Sequence, residues 1–199
     1  MLFRSRQERD PYVERAVREG WRSRAVFKLE QIQSKERVLR PGMRVVDLGA
    51  APGGWSQLAA KIVGARGRVW AVDLLPMEPV AGVEFLQGDF TDPETLAALR
   101  RAMGDEKADL VMSDMAPNIS GTRAIDQPRS MGLAEEALLF ATEVLAPGGA
   151  FLVKLFQGEG FPEFVQRAKQ AFGSVRLLKP KASRPESREI YMLARNYGM

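Results

Sequence analysis

Four polar side chains follow or interrupt apolar segments of this 199-residue chain in a pattern that could form one reaction site. Asp73, Asp89 and Asp114 each end a predicted strand, and Lys154 lies inside another. A single aspartate at such a position is commonly a helix cap or a turn residue. As a set they could bind a nucleoside: Asp73 has the position of an acid that meets ribose hydroxyls, and Asp89 could accept a hydrogen bond from an adenine amino group.

Lys154 has the most specific chemistry of the four, because it interrupts the apolar segment Phe151-Leu152-Val153-Lys154-Leu155-Phe156. Burial disfavours the charged ammonium, and a neutral amine can act as a base. The alternative is an edge-strand lysine whose amine reaches water. The chain has no histidine and no cysteine, which excludes imidazole bases, thiolate nucleophiles, disulfides and the usual zinc ligands. Acid–base chemistry is left to Lys, Asp, Glu and Tyr, and no metal is expected.

A glycine-rich turn, Asp47-Leu48-Gly49-Ala50-Ala51-Pro52-Gly53-Gly54, follows the first predicted strand. Its glycines permit close approach of the backbone to a ligand, and Pro52 suits the first turn of the helix that follows. That helix N-terminus presents free N–H groups to an anion. A dinucleotide loop has the spacing G-x-G-x-x-G, which this turn lacks, so the spacing favours S-adenosyl-L-methionine (SAM). A tight turn without a ligand is the alternative.

Alternating strand and helix patterns position these residues and predict a single α/β, doubly wound, Rossmann-like fold. The sheet is expected to be mostly parallel and seven-stranded, with an antiparallel C-terminal strand. The predicted strands are 44–48, 68–73, 83–87, 110–114, 150–156, 174–178 and 189–194, and the helices are 54–63, 93–103, 131–145 and 161–172. The polar stretch 118–129, which contains Gly and Pro, is predicted to be a long loop.

The basic character is concentrated at the N-terminus. Residues 1–40 contain 11 Lys+Arg and 6 Asp+Glu, whereas the whole chain carries a net charge of +4. They are predicted to form a basic helical extension of the same domain. Within residues 12–37 we expect two helices with a break between them near Gly20, and Ser23 is the predicted N-cap of the second helix. Arginines that alternate with Phe3, Tyr12, Trp21 and Phe27 suit phosphate contacts and base stacking. The alternative is a solvated helix face with its aromatic side chains turned inward.

Apolar segments are too short to span a bilayer, which needs about 20 residues, and the N-terminus lacks the apolar stretch of a secretory signal. We therefore expect a cytoplasmic protein without a membrane partner, and a monomer.

Three motifs in this order resemble the FtsJ/RrmJ family of ribose 2′-O-methyltransferases, in particular its bacterial ribosomal-RNA branch. They are Asp47-Leu48-Gly49-Ala50-Ala51-Pro52-Gly53-Gly54-Trp55-Ser56-Gln57, Ser113-Asp114-Met115-Ala116-Pro117-Asn118 and Val153-Lys154-Leu155-Phe156-Gln157-Gly158-Glu159-Gly160. The resemblance extends from about Ser23 to Tyr191. It implies that residues 41–199 are a SAM-dependent methyltransferase domain.

The resemblance also implies functional residues. A catalytic Lys-Asp-Lys-Glu tetrad falls on Lys28, Asp114, Lys154 and Glu189, and contacts with SAM fall on Gly53, Trp55, Asp73, Asp89 and Asp114. Lys154 would take the proton from the ribose 2′-hydroxyl of a uridine in 23S, large-subunit ribosomal RNA, presented in an assembled or nearly assembled 50S subunit. Other branches of the family act on tRNA or on messenger caps. A non-catalytic factor in ribosome assembly and an enzyme that methylates a base nitrogen are further alternatives, although the segment after Asp114 lacks the second proline and the aromatic residue of the latter class.

Overall fold

Strands and helices alternate along residues 10–199, the part of the chain that the structure, a computed structural model, describes. The strands are β1 (Arg44–Leu48), β2 (Arg68–Asp73), β3 (Val83–Gln87), β4 (Ala108–Ser113), β5 (Leu145–Phe156), β6 (Phe172–Leu178) and β7 (Glu189–Tyr197). The helices are α1 (Pro11–Glu19), α2 (Val26–Glu36), α3 (Gly54–Val63), α4 (Pro93–Met103), α5 (Arg123–Val144) and α6 (Phe161–Ala171).

One seven-stranded sheet has the order β3-β2-β1-β4-β5-β7-β6. The first five strands in this order, β3, β2, β1, β4 and β5, are parallel to their neighbours, and β7 is antiparallel to both β5 and β6. The predicted fold is therefore confirmed. The chain builds outward from β1 to β3 and then returns to place β4 on the other side of β1. Ligands of doubly wound sheets bind at such a switch point, beyond the carboxyl ends of the strands.

Helices cover both faces of the sheet, which explains why the central strands are continuous apolar segments rather than alternating ones. Val46 and Leu48 of β1 face a core shared with α4, α5 and α6. Val45 faces the second core, which includes Phe27 of α2 and Trp55 of α3. The helices α2 and α3 thus bring their side chains to the face that carries the even-numbered residues of β5.

The predicted long loop at 118–129 is wrong, because α5 begins at Arg123 and continues through Pro128. Gln127, Ser130, Met131 and Ala134 are buried at helical spacing, so packing against the sheet outweighs the local preference of proline to interrupt a helix. The strand β5 begins at Leu145, five residues before its predicted start. Asp114 lies immediately after β4 rather than within it.

The N-terminal helices break where predicted. The side chain of Asp10 caps α1 by accepting from the N–H of Tyr12 at 2.9 Å, and Gly20 ends the helix in the left-handed conformation. Ser23 does not occupy the cap of α2, which is Ala25; the Oγ of Ser23 accepts from the N–H of Ala25, two residues later in the chain. The predicted contacts of Phe3 and the first arginines lie outside the described residues. In residues 10–199 no helix combines the length and apolar character of a membrane span.

Candidate active site

Lys154 lies on an interior strand, because β5 is paired with β4 on one side and β7 on the other. The edge-strand alternative is therefore wrong. Lys154 is directly opposite Tyr191, and Phe156 is opposite Glu189. Directly opposed residues of antiparallel strands share a face of the sheet, so these four side chains project to the same side near the carboxyl end of β5.

The four tetrad side chains form two ion pairs with little solvent exposure. Lys154 Nζ is 3.5 Å from Asp114 Oδ1, and the two side chains are 10% and 16% exposed. Lys28 Nζ is 2.8 Å from Glu189 Oε1, and these side chains are 12% and 10% exposed. The structure therefore brings together four residues that are widely separated in the sequence.

Tyr191 joins this cluster, although no motif in the sequence indicated it. Its buried hydroxyl donates to Asp114 Oδ1 at 2.6 Å, the same oxygen that contacts Lys154. Burial, reinforced by the charge of Asp114, raises the pKa of Tyr191 well above its usual value. The hydroxyl therefore stays protonated at neutral pH and remains a hydrogen-bond donor. Its position two residues after Glu189, on the same strand face, is the signal that could have revealed it.

Glu189 is held as an anion. Burial acts to raise its pKa, but the charges of Lys28 and Lys154 and the hydrogen bonds from Lys28 and Ser183 outweigh burial, so the pKa is lowered. Ser183 Oγ donates to Glu189 Oε1 at 2.9 Å, the oxygen that Lys28 also contacts. No sequence pattern indicated Ser183, which reaches the site from the connection between β6 and β7.

The glycine-rich turn forms one wall of a cavity beside the tetrad. Gly49 has a φ of +75°, and a side chain there would collide with Met115. Gly53 has a φ of +117° and is the N-cap of α3, without a side-chain hydrogen bond to the helix. The cavity lies over the N-terminus of α3 and is lined by Ser23, Ala25, Asp47, Gly49, Ala50, Ala51, Pro52, Gly54, Trp55 and Asp114.

This arrangement fits SAM. The small residues of the turn leave room for a ligand close to the backbone, and the uncapped helix N-terminus suits the methionine carboxylate. Trp55 contributes a buried ring that packs 5.8 Å from the ring of Tyr191, and its N–H donates to the carbonyl of Ala25. Asp114 lines the cavity and also contacts Lys154, so a ligand in the cavity lies next to the amine.

Asp47 is a buried carboxyl group in the cavity wall and was not among the predicted site residues. Burial raises its pKa to about 7, opposed by the hydrogen bond from Ser56 and assisted by the charges of Asp114 and Asp73. Ser56 Oγ donates to Asp47 Oδ2 at 2.7 Å.

Asp73 and Asp89 do not line the cavity in this structure. The two oxygens of Asp73 accept from the N–H groups of Ala51, at 2.9 Å, and Leu75, at 2.8 Å, and so tie β2 to the glycine-rich turn. Asp89 is exposed, and the hydrogen bonds from Thr91 lower its pKa. Among residues 10–199 there is no group of three or more side chains that could hold a metal ion.

Comparison with known proteins agrees with this geometry. Residues 21–197 match the family model described as FtsJ-like methyltransferase. A structure described as a ribosomal RNA methyltransferase from Plasmodium falciparum is 27% identical, with a TM-score of 0.81 over 89% of this chain and 98% of its own. A structure described as an rRNA methylase from Clostridium thermocellum is 18% identical, with a TM-score of 0.58 over 84% of this chain and 96% of its own, a similarity of fold alone.

Proposed function

Because the chain belongs to the FtsJ-like methyltransferase family, we propose that it methylates the ribose 2′-hydroxyl of a uridine in 23S ribosomal RNA. The substrate of this proposal is the assembled or nearly assembled 50S subunit. One observation carries it: Asp114 lines the cavity at the glycine-rich turn and also contacts the buried amine of Lys154. The similarity to the Plasmodium ribosomal RNA methyltransferase supports RNA as the substrate class.

Five residues would hold SAM: Gly53 and Trp55 at the start of α3, Asp73 and Asp89 at the ends of β2 and β3, and Asp114 after β4. When bound, SAM supplies a methyl group already activated by a sulfonium. Transfer of that group to a hydroxyl requires alignment of the two reactants and removal of one proton. The chain therefore needs one base and a rigid frame around it, rather than a nucleophile or a metal.

Lys154 is the base in this proposal. Asp114 orients the amine by accepting from it, and Tyr191 fixes Asp114 by donating to the same oxygen. Lys28 and Glu189 form the second ion pair of the site. Because Glu189 also contacts Ser183, its position is fixed from two directions, and Lys28 is held where a ribose or phosphate oxygen could accept from it.

The test is methyl transfer from isotope-labelled SAM to 50S subunits that lack the modification, compared with naked large-subunit RNA. The labelled nucleoside is identified by mass spectrometry. Wild type should produce 2′-O-methyluridine, and Lys154→Ala should lower the rate by at least about 100-fold, the lower range for loss of a general base. Lys107→Ala, which removes an exposed lysine amine that donates to the carbonyl of Glu143, is the control and should keep full activity. Label on a nucleobase, or an active Lys154→Ala variant, would contradict the proposal.

A further inference from the structure

A second, smaller cavity lies beside Lys154 and shares no residue with the cavity at the glycine-rich turn. It has a volume of about 70 Å³. We call this cavity the side pocket; four of its lining residues are Pro117, Ile119, Phe156 and Arg188. Asp126, Gln127 and Ser130 of α5 complete the lining.

Two residues of the side pocket, Phe156 and Pro117, lie close in the chain to residues of the proposed reaction centre. Phe156 follows Lys154 by two residues on β5, so both side chains are on one face of the sheet. Lys154 Nζ is 5.9 Å from the centre of the Phe156 ring. On the other wall, Pro117 comes three residues after Asp114. If a ribose hydroxyl contacts the amine of Lys154, a neighbouring part of the same nucleotide could therefore occupy the side pocket.

Two of the polar α5 residues in this lining, Asp126 and Gln127, form hydrogen bonds within the protein. Asp126 accepts from the backbone N–H groups of Ser120 and Gly121, and Gln127 donates to the carbonyls of Phe156, at 2.9 Å, and Glu159, at 3.0 Å. These bonds fix the loop after β4 and the end of β5 relative to α5. They make the walls rigid but leave the recognition of a ligand to the remaining residues.

Those remaining residues combine apolar surface with hydrogen-bond donors. Ile119 is 71% exposed, and Phe156 is half-buried with its ring in the wall. The Nη1 of Arg188 donates to the carbonyl of Gln157 at 3.1 Å and to Gln127 Oε1 at 3.5 Å. Within residues 10–199, its Nε and Nη2 have no hydrogen-bond acceptor and Arg188 forms no ion pair. A flat ligand with apolar faces and carbonyl groups at its edge would suit this combination.

We propose that the side pocket binds the base of the nucleotide whose 2′-hydroxyl is methylated, an inference that rests on the proposed function. The 2′-oxygen and the base are attached to neighbouring carbons of the ribose, so a hydroxyl at Lys154 brings its own base to Phe156 and Ile119. Stacking on such side chains is common in RNA recognition. Both exocyclic groups of uracil are carbonyls, which accept from a guanidinium, whereas adenine presents an amino group there, and Arg has no acceptor.

The test uses large subunits reconstituted with ligated RNA that carries either uridine or an abasic nucleotide at the methylated position. Loss of the base should lower kcat/KM of the wild type by about 5- to 150-fold, the range for one stacked base. Ile119→Ala should lower kcat/KM on the uridine substrate. In this variant, replacing uridine by the abasic nucleotide should reduce kcat/KM much less than it does in the wild type. Leu139→Ala, a change at an exposed leucine of α5, is the control and should behave as wild type. SAM affinity should be equal in all three proteins.

A second variant tests the donor. Arg188→Gln should reduce the preference for uridine over adenosine at the methylated position, while leaving SAM affinity unchanged. The inference would be overturned if the fold-losses of kcat/KM from Ile119→Ala and from base removal were independent, so that the combined loss equalled their product. It would also be overturned if Ile119→Ala were coupled to removal of the base of the next nucleotide instead. In those cases the wild type still forms 2′-O-methyluridine. If the wild type forms none on any RNA, the proposed function fails and the inference fails with it.

Discussion

The hydroxyl of Tyr191 links the cofactor cavity to the proposed base through one oxygen of Asp114. Tyr191→Phe keeps the ring that packs against Trp55 but removes the donor, so Asp114 can move away from the amine. Because a hydrogen bond to a charged group contributes about 1.5–3 kcal/mol, we expect kcat to fall by at least about ten-fold. Tyr197→Phe is the matched control on the same strand, since the hydroxyl of Tyr197 contacts the carbonyl of Thr142. Equal effects of the two variants on kcat would contradict this role for Tyr191.

Asp47 makes the stability of the fold depend on pH. Its pKa is about 7 in the folded chain and about 3.9 in an unfolded one, so between these values the folded state binds more protons. The free energy of unfolding should therefore fall as pH rises from about 4 to 7, and the penalty should be complete above pH 7. Asp47→Asn removes this titration and should raise Tm at pH 8, by about 2–4 °C for each kcal/mol gained.

The measurement for Asp47 is Tm of wild type and Asp47→Asn across pH 4 to 9. The difference between the proteins should grow up to about pH 7 and then level off, because Glu189 and the other carboxylates titrate equally in both. The chain has no histidine or cysteine, whose ordinary pKa values lie nearest to neutrality. A constant difference at every pH would show that Asp47 does not titrate in this range.

The resemblance to the FtsJ/RrmJ family predicted the four tetrad positions, and the structure pairs their side chains; their catalytic roles stay predictions. The neighbouring contributions of Tyr191, Ser183 and Asp47 arise from register, loop path and burial, which single motifs do not encode. Asp73 and Asp89 were predicted as direct contacts of SAM. In the structure Asp73 instead fixes the turn through the N–H of Ala51, and Asp89 is bound by Thr91; their contact with SAM stays a prediction.

At the level of elements, the predicted bounds of β1, β2, β3, α3 and α4 agree with the structure because Gly, Pro or Asp limits each one locally. Errors occur where distant packing decides. The side chains that extend α5 back to Arg123 are buried against strands far away in the sequence. The early start of β5 likewise depends on pairing of Leu145 with Ala108. Neither partner is identifiable from the local sequence.

Arg22 connects the glycine-rich turn, the start of α3 and the segment after β2. Its guanidinium donates to the carbonyls of Pro52, Glu78 and Pro79, and its N–H donates to Gln57 at 3.0 Å. These bonds hold the segment after β2 against the glycine-rich turn. Arg22→Ala should loosen the turn and raise KM for SAM several-fold, with little change of kcat at saturation because Lys154 is not contacted.

Arg18→Ala, at an exposed position of the preceding helix α1, is the control for Arg22→Ala and should leave KM for SAM unchanged. Isothermal titration with SAM in the absence of RNA separates the effect on the turn from any effect on RNA binding. If Arg22→Ala changes only the affinity for RNA, the residue acts on the substrate and not on the turn.

For the whole molecule, the position of the basic residues matters more than the net charge of +4. Two arginines of the N-terminal extension form ion pairs with carboxylates of the same chain. Arg15 pairs with Glu19 and Glu30 and lies over the ring of the buried Phe27, and Arg24 pairs with Asp10. The predicted alternation of aromatic and basic residues thus includes intramolecular pairing, as in the alternative of an inward-turned aromatic face.

This internal pairing predicts how binding should respond to salt. Each phosphate that a protein neutralises steepens the fall of affinity with salt concentration. Recognition of the shape of a folded RNA adds affinity that depends less on charge and therefore less on salt. Between about 50 and 200 mM salt, kcat/KM on naked RNA should therefore fall more steeply than kcat/KM on 50S subunits. Arg15→Gln should leave both slopes unchanged and lower Tm instead, because its charge is bound to Glu19 and Glu30 rather than free for phosphate. Identical slopes on the two substrates would show that particle shape adds nothing to charge, and a shallower slope in Arg15→Gln would place that side chain on the RNA.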